Sequence, residues 1–96
     1  MKVIWTEKAE ETFHQNIAYL EEKWTQSVID DFIEKTDESI LAISNHPLVF
    51  PVVRKKKRVH KCLVVKQISL FYRVVGDEIY LVTFWNNFQN PKKLKL

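Results

Sequence analysis

Ninety-six residues, 46% hydrophobic and 28% charged, predict one domain spanning 1–96 with a modest core, and exclude a disordered chain. No apolar run approaches the roughly 18 residues of a membrane span, and Met1-Lys2-Val3 leads straight into patterned sequence, so a cytoplasmic protein with no signal peptide and no membrane partner is expected. The formal charge of +3 conceals a division: residues 1–46 hold four lysines against ten acids (−6), while residues 47–96 hold eight lysines and three arginines against Asp77 and Glu78 (+9).

The elements follow in chain order. Val3-Ile4-Trp5 predicts a strand at about 2–6, and Thr6 is placed to cap a helix with Glu7 in its first turn. Ala9, Phe13, Ile17, Leu20 and Trp24 line one face of that helix. Thr25 caps a second helix at about 26–45, with Ile29, Ile33, Thr36, Ile40 and Ile43 along its apolar line and Val28 and Phe32 beside it. The short link makes the pair an antiparallel hairpin. His46-Pro47 ends the second helix, because a residue before proline is pushed out of the helical region. Beyond it the pattern turns to strands at 59–65, 70–75 and 79–85, with Lys66-Gln67-Ile68-Ser69 as a loose turn and Gly76-Asp77 as a tight one. Residues 86–96 form a polar, basic cap or tail. The order β-α-α-β-β-β predicts an α+β fold: a helical hairpin on one face of a largely antiparallel sheet, the other face bare and cationic.

That bare face is where chemistry is expected. Arg54-Lys55-Lys56-Lys57-Arg58, with Lys61, reads either as a solvated loop or as an electrostatic footprint for an anionic macromolecule. Alternation puts Arg73 beside Phe71, a guanidinium and an aromatic platform suited to RNA bases or a protein hot spot; the alternative is a surface arginine paired with Glu78. Trp85, Asn87 and Gln89 close the last strand, and Trp85 and Phe88 either cap the core or join the amides in contacting a partner. His60 is the one histidine in the basic layer; His14 and His46 read as surface and helix-end residues. Cys62, amid Leu63, Val64 and Val65, reads as a buried small hydrophobe. No histidines or cysteines share metal-ligand spacing and the single glycine excludes a Gly-rich phosphate loop, so neither metal nor cofactor is expected.

The ordered set of Val3-Ile4-Trp5-Thr6, Tyr19-Leu20, Pro47, Pro51, Lys61 to Val65, Leu70 to Val74 and Trp85 to Pro91 resembles the RelE/ParE superfamily of bacterial type II toxins. The resemblance implies a toxin neutralised by a cognate antitoxin, whose acidic or amphipathic segment would lie beside the helical hairpin and over the basic layer. A homodimer is a further option. RelE-like members are metal-free ribonucleases acting on mRNA in the ribosome; ParE-like members inhibit DNA gyrase. The places of the RelE-like catalytic set fall here on Ser69, Gln89, Lys95, His60 and Cys62, so most of that set is absent, and Phe88 stands where many relatives carry arginine. The resemblance therefore implies a ParE-like gyrase inhibitor rather than an enzyme, its target held by Arg54, Arg58, Lys61, Phe71, Arg73, Trp85, Asn87 and Gln89. The alternatives are an mRNA endonuclease using His60, Lys61 and Arg73, and a non-toxic relative that only binds antitoxin.

Overall fold

The computed structural model describes residues 1–96. A strand, β1 (Lys2–Trp5), leads into α1 (Glu7–Lys23) and α2 (Gln26–Asn45); then come β2 (Val52–Arg54), β3 (Val59–Val65), β4 (Ile68–Val75), β5 (Glu78–Asn86) and a 3-10 turn (Pro91–Lys93). The sheet order is β1-β5-β4-β3-β2, antiparallel except where β1 runs parallel to β5. The predicted α+β hairpin-on-sheet fold is present, with one strand more than the pattern showed. β2 is only three residues long and fully exposed, so it carries no alternation to read.

Thr6 begins α1 as expected: its hydroxyl accepts from Ala9 N at 3.1 Å and donates to the Leu81 carbonyl at 2.7 Å, fastening the helix start to β5. Thr25 precedes α2 without a side-chain cap, and Val28 and Ile29 N–H turn to its carbonyl instead. β4 begins at Ile68, so the looser turn shrinks to Lys66-Gln67; Ile68 and Ser69 are both buried strand residues. At Gly76, φ is +62°, the left-handed conformation that glycine adopts without Cβ strain.

The core lies between the helices and one sheet face. Tyr72, Leu70 and Ile68 of β4 meet Leu81, Ile79 and Phe84 of β5, with Ala9, Leu20, Ile29, Phe32 and Ile43 from the helices. Trp5, Phe13, Phe32 and Phe84 join by ring contacts at centroid separations of 5.3–6.2 Å. Phe32, not Ile33, enters this core; Ile33 is 41% exposed. At 100° per residue the face centred on Ile29, Thr36 and Ile43 admits position 32 and turns 33 outward.

β1 covers β5 only as far as Leu81. Beyond it, α1 satisfies the open edge with side chains: Phe84 N donates to Thr12 Oγ1 at 2.9 Å, and Asn16 Nδ2 donates to the Phe84 carbonyl at 3.1 Å. Register also shifts here, Phe71 facing Thr83 and Tyr72 facing Leu81, so Val82 is an extra residue in β5.

Candidate macromolecule-binding face

Pairing sets which side chains share the face turned away from the helices. Val59 lies opposite Arg73, Lys61 opposite Phe71, Leu63 opposite Ser69, and Phe71 and Ser69 in turn oppose Thr83 and Trp85. Lys61 and Arg73 therefore sit diagonally on one surface, both exposed. Arg73 is not paired with Glu78. Its Nε donates to the Lys57 carbonyl at 2.8 Å, and Glu78 accepts from the Tyr80 hydroxyl at 3.2 Å.

The face is not bare. Lys8, at the start of α1, and Lys57, in the β2–β3 turn, approach from opposite sides and donate to the successive carbonyls of Lys95 and Leu96, each at 2.8 Å. The tail is thereby drawn across the sheet, with Leu94 and Leu96 half-buried. Phe71 and Val59, which face this side and stand outside the main core, are 3% and 0% exposed. Phe71 is thus no open platform; alternation placed it on the correct face, where it is buried.

His60 is a correction as well. It points to the helix side, opposite to Lys61, where it is buried, stacks on Tyr72 at 4.9 Å and 11°, and holds the Phe50 carbonyl through Nδ1 at 2.8 Å. His60, Lys61 and Arg73 do not converge on one point. Cys62 is buried on the same side as His60, and burial pushes its thiol pKa up against an opposing hydrogen bond from Ser39. Tyr72 donates to the Pro47 carbonyl at 2.7 Å, and burial, with a smaller contribution from Cys62, pushes its hydroxyl up to about 12.

The remaining candidates divide between outward-facing and structural roles. Arg54 and Arg58 are exposed at the ends of the β2–β3 turn, with Arg58 at φ +52°. Trp85 is half-buried and Gln89 exposed, both lining a cleft between α1 and the tail. Asn87 is spent on architecture: its Oδ1 accepts from Ser69, its Nδ2 donates to the Lys66 carbonyl, and its backbone N–H bonds Gln67. Phe88 is 55% exposed and stacks on Trp24 of the helix link at 6.4 Å and 18°, so it caps no core.

A feature absent from the pattern joins these residues. The structure holds two salt bridges, Lys23–Glu22 and Lys35–Glu38, both within the helical layer. None of the eleven cations of residues 47–96 pairs with an Asp or Glu side chain.

The profile for the ParE toxin of type II toxin–antitoxin systems, parDE, matches residues 3–91. The chain belongs to the ParE toxin family. Solved structures of similar fold include a chromosomal ParDE system from P. aeruginosa (TM-score 0.64, 17% identity, 90% of this chain and 95% of that one). Others are the YoeB–YefM toxin–antitoxin heterotetramer from Staphylococcus aureus (0.62, 11%, 92% and 98%) and a copper-bound mutant toxin from Helicobacter pylori (0.61, 19%, 91% and 94%). A search of curated proteins finds no match. This ParE-family chain is therefore a type II toxin of the RelE/ParE superfamily, and its fold is also like that of the YoeB–YefM complex.

The positions that the resemblance assigns to the RelE-like catalytic set lie apart from one another in the structure. Ser69 donates to Asn87, His60 and Cys62 are buried on the helix side, and Gln89 and Lys95 lie along the tail cleft.

Proposed function

We propose that this ParE-family toxin acts by gripping a protein target, DNA gyrase, through Lys61, Arg73, the 54–58 turn and the tail, and that a cognate antitoxin neutralises it by covering the same cations. The observation that carries this reading is that none of the eleven cations in the second half of the chain pairs with an Asp or Glu side chain, beside a helical layer that keeps its own ion pairs. Unpaired exposed cations lend themselves to steering and orienting an anionic partner. The orientation of His60 away from Lys61 and Arg73 supports binding over cleavage, since transfer of a 2′-hydroxyl proton needs a base within hydrogen-bond reach of the cations that hold the phosphate.

Purified chain added to a gyrase supercoiling reaction is expected to block supercoiling at micromolar concentration. The double variant Lys61→Glu, Arg73→Glu is expected to weaken that effect at least about tenfold, equivalent to about 1.4 kcal/mol, with an unchanged circular dichroism spectrum. Undisturbed supercoiling in the presence of folded wild-type chain removes gyrase as the target. For the antitoxin, co-purification with the product of the adjacent open reading frame is the corresponding check.

A further inference from the structure

The cleft between α1, the outer edge of β5 and the tail has a composition unlike the rest of the surface. Lys8, Lys93 and Lys95 stand along it, Tyr19 and Trp85 supply rings, and no carboxylate lines it. Its cavity volume is about 230 Å³, small for a ligand site, so an occupant would lie partly outside its open mouth.

Its floor is the informative part. Asn16 and Asn86 are each 6% exposed, yet each carries a polar atom with no partner in the protein. Asn16 Nδ2 bonds two carbonyls, of Thr12 and Phe84, which fixes the amide orientation and leaves Oδ1 unmatched. Asn86 Oδ1 accepts from Phe88 N, leaving Nδ2 unmatched. Since no fully enclosed side-chain polar atom lacks a partner, the two amides reach open space, and the cleft they line is that space. Groups so nearly buried are costly to leave unmatched and favour a ligand that supplies both donors and acceptors.

We propose that this cleft binds a nucleoside monophosphate, free or as the terminal residue of a strand, with the base against the rings and amides and the phosphate at the lysines. A simple carboxylate or phosphate would satisfy the lysines but offers no flat face to the rings. A nucleobase presents donor and acceptor on one edge, together with a flat face for Tyr19 and Trp85. The site shares the tail with the gyrase reading, but binding here requires neither Lys61 nor Arg73, so loss of one activity does not entail loss of the other.

The test titrates the full chain with adenosine 5′-monophosphate, inorganic phosphate, adenosine and a 5′-phosphorylated oligoadenylate, following the side-chain amide resonances of Asn16 and Asn86. The nucleotide is expected to shift both, and to bind about tenfold more tightly than phosphate or adenosine alone. Lys93→Ala and Gln89→Ala, both at exposed positions, are expected to weaken it severalfold, and Lys55→Ala, Lys56→Ala to leave it unchanged. Tighter binding of the oligonucleotide assigns the site to a strand end; equal binding assigns it to the free nucleotide. Unmoved Asn16 and Asn86 resonances at about 10 mM nucleotide (a ligand that weak gains under about 3 kcal/mol) overturn the proposal. So does phosphate binding as tightly as the nucleotide, or a loop variant as damaging as Lys93→Ala.

Discussion

Asn16 shows how one polar side chain holds two layers together. It occupies the helix face of Ala9, Phe13 and Leu20, where an apolar residue would pack, and spends its amide on the Thr12 and Phe84 carbonyls. The Phe84 carbonyl lies on the stretch of β5 that β1 does not reach, so removing the amide leaves a buried acceptor unmatched. Asn16→Ala is therefore expected to cost about 1–3 kcal/mol in urea denaturation, against under about 0.5 kcal/mol for the exposed neighbour Gln15→Ala. A second residue-scale expectation concerns alkali. Burial holds the Tyr72 proton to about 12 in the folded chain, while an unfolded tyrosine releases it near 10, and the Cys62 thiol is shifted in the same direction from 9.0. The folded state keeps protons that the unfolded state loses, so their contribution to stability is complete below about pH 9 and drains away as pH rises to about 12. Stability measured across that range is expected to fall steeply in wild type, and Tyr72→Phe is expected to flatten the part above pH 10. An unchanged slope in Tyr72→Phe would place the alkaline loss elsewhere.

At the level of elements, the two helix starts make a controlled comparison. Thr6 and Thr25 have the same chemistry and extended backbones, yet only Thr6 closes the cap, because its hydroxyl is also held by the Leu81 carbonyl of β5. Thr6→Ala is expected to lower stability by about 1–2 kcal/mol and Thr25→Ala by a few tenths, read from the same denaturation curves. The contrast also marks what a sequence can carry. Local rules find both threonines and place α2 at its observed bounds, since helical period, cap chemistry and the break before Pro47 act within a few residues. They do not distinguish a cap tied to a distant strand from one left open. The same limit explains β2, Phe71 and Asn87. A three-residue edge strand has no period, alternation names a face without saying whether its residues are buried, and an amide beyond a strand reads as available until the β3–β4 turn is seen to use it. For the face itself, Lys61, Arg73, Arg54 and Arg58 were legible as exposed cations, because unpaired charge is kept out of cores whatever the topology. The tail cleft was not legible, as its walls come from residues 8–19, 83–89 and 93–95, which only the folded chain brings together.

On the scale of the molecule, the charge division of the sequence becomes a division between layers. Helices carrying most of the acids lie on one side of the sheet, and the 54–58 turn, Lys61, Arg73 and the lysines of the tail gather on and around the other. Such an arrangement orients an approaching acidic partner before any contact forms, and screening shortens its reach from about 30 Å at 10 mM salt to about 8 Å at physiological ionic strength. The association rate with the antitoxin is therefore the quantity most sensitive to it. Raising salt from about 10 to 150 mM is expected to slow association by an order of magnitude or more while changing dissociation much less. Charge reversal in the exposed turn, Lys55→Glu with Lys56→Glu, is expected to reproduce most of that loss at low salt and to leave little further dependence on salt. Both lysines lack ion-pair partners and protrude from the sheet, so the variant should unfold at the same denaturant concentration as wild type. Stopped-flow association kinetics at three salt concentrations separate the possibilities: a salt-insensitive rate in wild type would mean that the cationic layer takes no part in encounter, and an effect confined to dissociation would mean that it acts only through direct contacts.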